Sequence, residues 1–280
     1  MTLKPLMFTA ALLLSFFSQS QAPRFIFLDS LSYNLSPVSP IVVRAQGYTR
    51  TESYSVQSKT KDTTAYICFY YNQDGLTILS KRKLPDRDTM SFVFRYDSSN
   101  RLISTSTLIK NRVISAEVAD YSLDTIVTRT KYNAKGSITE KRVLHYNNQY
   151  QLVKYEALDS LDKLYETTTY EYDDRGLPLR ATQVRGSRPI FDNAYEYSGK
   201  KDEKTVKVYE MFAGYKRLIE KIEYNSKRQL EKTISYNYTY GNKIFTASLD
   251  YYDDGALKSY AGEYHYSGFK FRQVYYHRKD

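Results

Sequence analysis

The chain reads as an all-β protein: tandem antiparallel β-hairpin repeats that form a long curved or partly closed meander sheet, behind an N-terminal signal peptide. Three observations carry this reading. The 280 residues include 30 tyrosines and no tryptophan, a bias toward side chains that suit a pleated, half-buried surface. Apolar and polar residues alternate with period two: Tyr170 and Tyr172 share a face opposite Glu171, and Ile222 and Tyr224 oppose Lys221 and Glu223. A hairpin motif also recurs at a nearly constant spacing.

The N-terminus has the order of a secretory leader. Lys4 and the amino terminus supply positive charge, Leu6 to Phe17 is uncharged and apolar, and Ser18-Gln-Ser-Gln-Ala22 follows with small and polar residues. The apolar stretch is too short for a stable bilayer-spanning helix. Residues 1–20 are therefore expected to be removed. A cut after Ala22 is the alternative, although it places Pro23 just past the scissile bond, and an uncut membrane anchor is a second one. Residues 21–40 read as a linker that ends in Ser36-Pro-Val-Ser-Pro40, and residues 41–280 as one repeat domain opening with the strand candidate Ile41-Val-Val-Arg44. No later apolar run has spanning length, so no transmembrane segment is expected in the mature chain. The expected location is periplasm, outer envelope or extracellular space.

The repeat is a strand ending in Tyr, then Asp or Asn, a short turn that often contains Gly, then Leu or Ile opening the return strand. It reads Tyr71-Asn-Gln-Asp-Gly75-Leu76, Tyr172-Asp-Asp-Arg-Gly176-Leu177 and Tyr251-Tyr-Asp-Asp-Gly255-Ala-Leu257, with copies at Tyr96, Tyr146 and Tyr224 and a degraded one at Tyr197. These anchors step by 25, 50, 26, 25, 27 and 27 residues. The double step predicts a hidden copy near Tyr121, and the copy at Tyr132 is out of phase. Asp and Asn bond their own downstream backbone and tolerate left-handed conformations, and Gly adopts positive φ without steric cost. These are hairpin-loop residues, and a lone hairpin is marginal, so the copies must share one sheet.

With the motif written out, the chain resembles the YD-repeat (Rhs-type) family of bacterial surface and secreted proteins through Tyr170-Glu-Tyr-Asp-Asp-Arg-Gly176. Its last thirty residues resemble a bacterial MORN-type repeat through Tyr251 to Tyr264, Gly268-Phe-Lys270 and Tyr275-Tyr276. Both resemblances imply tandem β-hairpins and no particular activity.

The chemical inventory is thin. Cys68 is the single cysteine, which excludes an intramolecular disulfide and a cysteine metal site and reads as a buried thiol. His145, His265 and His277 show no metal-ligand spacing. The pairs Asp173-Asp174 and Asp253-Asp254 are candidate hydrolase carboxylates, but they occupy turn positions where Asp serves the backbone. No catalytic residue, metal or cofactor is therefore expected.

The net charge of +10 is spread along the chain rather than concentrated in a tract, as solvated strand faces require, and nucleic acid is not an expected partner. Tyr170, Tyr172, Tyr195, Tyr197, Tyr236, Tyr238 and Tyr240 form the aromatic face with binding potential. The competing role for that face is a core with its hydroxyls at the rim. The expected function is a non-enzymatic exported envelope or secreted protein that serves as a scaffold or binding surface for glycan or another surface protein. An antitoxin- or immunity-like protein binder is the alternative, and a hydrolase ranks below both.

Overall fold

The computed structural model describes residues 38–57, 63–83, 88–198, 204–227, 229–236 and 242–279. The expected signal peptide and nearly all of the expected linker lie outside them. A short helix, α1 (Pro40–Gln46), precedes eighteen strands. These are β1 (Arg50–Gln57), β2 (Thr63–Tyr71), β3 (Thr77–Lys83), β4 (Met90–Tyr96), β5 (Leu102–Ile109), β6 (Arg112–Leu123), β7 (Ile126–Asn133), β8 (Ile138–Tyr146) and β9 (Leu152–Asp159). They continue as β10 (Leu164–Tyr172), β11 (Pro178–Arg185), β12 (Arg188–Ser198), β13 (Lys204–Phe212), β14 (Tyr215–Tyr224), β15 (Leu230–Tyr236), β16 (Lys243–Tyr251), β17 (Leu257–Tyr264) and β18 (Phe269–Arg278).

Every strand pairs antiparallel with its sequence neighbours, and β1 pairs with both β2 and β18. The expected open or partly closed meander is thus corrected to a fully closed, eighteen-stranded up-and-down barrel. Closure removes the two edges that a curved sheet would expose. A second correction concerns Ile41-Val-Val-Arg44, which lies in α1 and not in a strand. Its β-branched run is overruled by Pro40, whose fixed φ suits the first helical turn, and by Gly47 at φ 66°, which ends the helix in a left-handed turn.

The end of the barrel where even-numbered strands hand over to odd-numbered ones is here the upper rim, and the opposite end is the lower rim. Six upper hairpins share one construction. In the first, Asn72 N–H donates to the Leu76 carbonyl, and the Asn72 side-chain oxygen accepts from the Asp74 and Leu76 amides at 3.0 and 2.9 Å. The third residue after the Asp or Asn has positive φ, whether it is Gly75, Asn100, Tyr150, Gly176 or Gly255. Tyr251-Tyr252 departs from the motif, and there the Tyr252 backbone holds the turn position. One residue past each turn the return strand carries a β-bulge, as at Tyr71↔Thr77 followed by Tyr70↔Leu79. A repeated bulge adds twist and curvature at the same place in each hairpin.

Tyrosine hydroxyls clamp the rim. Tyr96 donates to the Thr77 carbonyl at 2.9 Å, Tyr121 to Leu102 at 2.9 Å, Tyr172 to Leu152 at 2.7 Å, Tyr197 to Pro178 at 2.8 Å and Tyr251 to Leu230 at 2.7 Å. Tyr121 is thus the hidden copy. In β18 the same place is taken by His277, whose Nε2 lies 2.9 Å from the Leu257 carbonyl. The out-of-phase copy at Tyr132 builds the same turn on the lower rim, where Asn133 accepts from Lys135 and Ser137.

Strand register sorts side chains into an inward and an outward set. The inward set includes Ser53, Phe69, Phe92, Leu144, Ala157, Thr168, Asn193, Val208, Ile222 and Ala247, all buried. A round eighteen-stranded barrel would enclose an aqueous channel. Side chains this buried, on most strands of the ring though on neither β5 nor β6, narrow the bore at their level. α1 seals part of the upper rim, packing Val38 and Val43 on Phe69, Tyr71 and Ala256.

Replacing Tyr172 with Phe should cost about 1 kcal/mol by removing one hydroxyl bond. Tyr150→Gly should add about 1 kcal/mol by relieving a bulky residue at φ 59°. Urea midpoints at constant m-value will show both.

Candidate functional site in the barrel interior

The inward face is apolar near the upper rim and becomes polar and charged further down. Val127 and Leu144 pair across β7 and β8, and one step lower Arg129 pairs with Arg142 and Lys131 with Glu140. Arg129 is fully buried, and its Nη1 bonds Glu117 Oε1 at 2.8 Å. Arg142 grips Glu140 with two bonds of 3.0 Å and lies 3.6 Å from Glu117. Tyr165 O–H donates to Glu140 at 3.0 Å. Burial works to raise the Glu140 carboxyl, but the Arg142 guanidinium outweighs it and holds the group below its usual range. Two strands on, Glu166 receives Arg185 at 2.6 Å and Gln183 at 2.9 Å.

A second polar site lies on β12–β15. Glu220 is buried opposite Val208 and Ser235, and its Oε2 has no hydrogen-bond partner. Asn193 Oδ1, also buried, has none either. Tyr195 and Tyr224 crowd this region, and desolvation drives their hydroxyl pKa values well above the ordinary range. Desolvation alone pushes the Glu220 carboxyl up to about 8, so at neutral pH the group is chiefly the neutral acid. Glu220 on β14 and Asn193 on β12 each leave a buried oxygen without a partner, and a neutral carboxyl can donate or accept a hydrogen bond toward a polar ligand.

The tyrosines singled out from sequence do not all share one surface. Tyr170, Tyr172, Tyr195 and Tyr197 face inward on β10 and β12, with the Tyr172 and Tyr197 hydroxyls bound to backbone at the rim. Tyr236 follows inward-facing Ser235 and so faces outward. Tyr238 and Tyr240 lie outside the described residues.

The turn carboxylates serve their turns. Asp173 accepts the Arg175 and Leu177 amides at 3.0 and 2.8 Å and pairs with the Arg175 guanidinium. Asp254 accepts the Ala256 amide at 2.9 Å and the Tyr48 hydroxyl. Four strands, β12 to β15, lie between the hairpins that hold Asp173-Asp174 and Asp253-Asp254, and no contact joins the two pairs.

The histidines have hydrogen-bond partners: His145 with Glu156 at 2.8 Å, His265 with Thr246 at 2.8 Å, and His277 with Thr51 at 2.8 Å besides Leu257. Among the described residues no group of three His, Cys, Asp or Glu could hold a metal ion. Cys68 is buried beneath Tyr66 and Tyr70 on the outward face.

The buried charges escaped sequence reading, although the signal was present. Arg142-x-Leu144-x-Tyr146 and Glu220-x-Ile222-x-Tyr224 put Arg142 and Glu220 in phase with a repeat tyrosine. The period-two rule extended two residues upstream places both inside.

The outward face is charged along its length. Arg180 forks onto Asp192 at 2.8 and 2.6 Å, Lys154 meets Glu156 at 2.7 Å, Lys221 meets Glu223 at 2.5 Å, and Lys258 meets Asp250 at 3.4 Å. A lipid-facing barrel surface needs an apolar band, and each Lys or Arg at its midplane costs about 2–4 kcal/mol. Charges placed along the outward face thus disfavour a lipid-facing band there. Separately, no described helix is long and apolar enough to cross a membrane.

No family model and no curated protein matches the chain. Among solved structures it is similar to a porin-like protein from Bacteroides uniformis, with 9% identity over 82% of this chain and 96% of the other, at a TM-score of 0.48. A DUF1329 family protein from Desulfovibrio piger matches at 7% identity over 85% and 88% of the two chains, TM-score 0.27. A putative outer membrane lipoprotein-sorting protein domain from Vibrio parahaemolyticus matches at 9% identity over 85% and 92%, TM-score 0.17. All three TM-scores lie below 0.5, so none of these likenesses carries an argument about this chain. The resemblance to YD-repeat and MORN-type families is corrected: no family model matches the chain. The shared turn residues have a physical origin, since any hairpin closed by an Asx turn and a left-handed residue selects Asp or Asn followed by Gly.

Two measurements test the interior. Between pH about 4.5 and about 8 the folded chain holds on Glu220 a proton that the unfolded chain has released. The contribution is complete below about 4.5 and is lost as pH rises, by at most about 1.4 kcal/mol per unit. Glu220→Gln should remove this slope and be more stable than the parent at pH 8 in urea titrations; an unchanged slope would place the titration elsewhere. Arg129→Met, which leaves Glu117 short of its closest cation, should cost about 3 kcal/mol, read from the thermal unfolding midpoint.

Proposed function

We propose that the chain is an exported, non-enzymatic β-barrel of the cell envelope or its surroundings, and that its surface or interior face binds an envelope glycan or another surface protein. The observation that carries this reading is the placement of charge. The outward face is laced with ion pairs, which favours water over lipid, and buried side chains from most strands fill much of the interior, which argues against a conducting pore. With both roles of a membrane channel disfavoured, recognition is what such a rigid closed scaffold offers. The leader-like residues 1–20 support export, and the turn-bound carboxylates and the histidines, each with a hydrogen-bond partner, are in keeping with a role other than catalysis.

The experiment is fractionation of the producing cell with intact-mass measurement. A mass short of residues 1–20 or 1–22, recovered from periplasm, outer envelope or medium, is the expected result. An uncut chain in the cytoplasm would overturn the compartment and favour a protein-binding role inside the cell.

A further inference from the structure

The three most exposed large apolar side chains among the described residues are Tyr266, Leu161 and Tyr215, at 99%, 86% and 74% exposure. All three stand on the lower rim: Leu161 in the β9–β10 turn, Tyr215 at the start of β14, and Tyr266 in the β17–β18 turn. These turns are four strands apart round the ring, so at ~4.8 Å per strand the tips are spaced about 19 Å along it. Each tip is followed closely by a lysine: Lys163, Lys216 and Lys270. Lys110, Lys135 and Arg188 occupy three further lower turns. The upper turns instead carry Asp97, Asp124, Asp173, Asp174, Asp253 and Asp254. Asp88 and Asp162 also stand in described lower turns, each paired with a lysine, and Arg101, Arg175 and Lys227 in upper ones. At and beside the described lower turns cations still outnumber carboxylates, and the apolar extremes sit on that rim.

Single exposed apolar residues are ordinary. What distinguishes these is that the extremes of exposure fall together on one end, at protruding turn tips, each beside a cation. A protein-binding patch gathers apolar residues around a desolvated centre. Separate tips with charged and polar residues between them suit a fluid surface that each tip penetrates independently. Tyrosine sits well at headgroup depth, and a neighbouring lysine reaches anionic phosphates while its stem lies along apolar material. Lys216 and Lys270 also meet Glu196 and Glu263, in exposed pairs of the weak kind that yield to a stronger anionic field.

We propose that the lower rim docks peripherally on an anionic lipid bilayer, with Leu161, Tyr215 and Tyr266 entering the headgroup layer and the adjacent lysines on lipid phosphates. The partner is a lipid surface, beyond the glycan or protein considered above, and its test does not depend on where the chain is exported.

Because the chain contains no tryptophan, each tip can carry the sole tryptophan, excited at the red edge where tyrosine scarcely absorbs. Leu161→Trp, Tyr215→Trp and Tyr266→Trp, with Tyr150→Trp on the upper rim as control, are mixed with vesicles of phosphatidylcholine alone or blended with phosphatidylglycerol. The expected result is a blue shift and quenching by brominated acyl chains at the three tips, with anionic vesicles only, and neither at Tyr150→Trp. The triple change Leu161→Ser, Tyr215→Ser, Tyr266→Ser should lower vesicle affinity at least about tenfold while leaving the unfolding midpoint in place. No shift at any tip, an equal shift at Tyr150→Trp, or vesicle binding undiminished in the triple variant would overturn the proposal. Capture on a sulfated polysaccharide without vesicle binding would overturn it too, assigning the basic rim to a soluble polyanion.

Discussion

The structure depends on one repeated contact, a tyrosine hydroxyl at the upper end of an even-numbered strand donating to the backbone carbonyl that opens the preceding odd-numbered strand. Each such bond contributes only about 0.5–1.5 kcal/mol. Its importance is geometric. The contact joins strands of successive hairpins, so it fixes how one unit sits against the next, which neither the turn nor the ladder within a hairpin can do. The adjacent bulge supplies the same increment of curvature at each step. Units joined at a constant angle either spiral or return to their start, and here the eighteenth strand meets the first. His277 occupies the clamp position at that meeting point and ties both sides of the seam, through Thr51 on β1 and Leu257 on β17.

Closure then dictates where polarity can go. With both edges paired, every strand has one face to the interior and one to solvent, and the period-two pattern must hold round the whole ring. The outward set is filled with charges of both signs that pair along and between strands. The inward set is apolar near the clamps, where burial is deepest, and turns polar below. Buried ion pairs such as Arg129–Glu117 repay little of their desolvation cost compared with an apolar substitute. Their presence inside, with the unpartnered Glu220 and Asn193 oxygens, marks the lower interior as the part of the barrel whose composition stability alone does not explain.

Much of this was legible in the residues. The hairpin unit, the backbone duty of Asp173 and the missing copy at Tyr121 all follow from local spacing, because turn chemistry is local. The buried Arg142 and Glu220 were legible in principle, by carrying the alternation two residues past the aromatic pair. Closure was not, since the pairing of Arg50 with Arg278 is a contact between distant segments that no local pattern encodes. The helix at Pro40–Gln46 was missed for the opposite reason: its Ile-Val-Val run has β propensity, and the flanking Pro40 and Gly47, each a boundary signal, outweighed it. The family resemblance failed because a short turn motif reports the conformation it must adopt and not descent.

The two rims differ because the hairpins that build them differ. Most upper turns need a side-chain acceptor at the first position, so Asp and Asn recur there and that end becomes acidic as a by-product of folding. Several lower turns are two-residue links, as at Lys110-Asn111, Gly186-Ser187 and Ala213-Gly214, in which no carboxylate is required. Their flanking positions are therefore free to vary without loss of the barrel. Tyr215 and Lys216 flank such a link, whereas Leu161, Lys163 and Lys135 stand in turns whose acceptors are Asp159 and Asn133, so that the turn makes its demand on the acceptor and not on them. Side chains that their turns leave free are where composition reflects contact with something else, whereas Asp97, Asp173 and Asp254 on the upper rim are explained by the turn amides they accept.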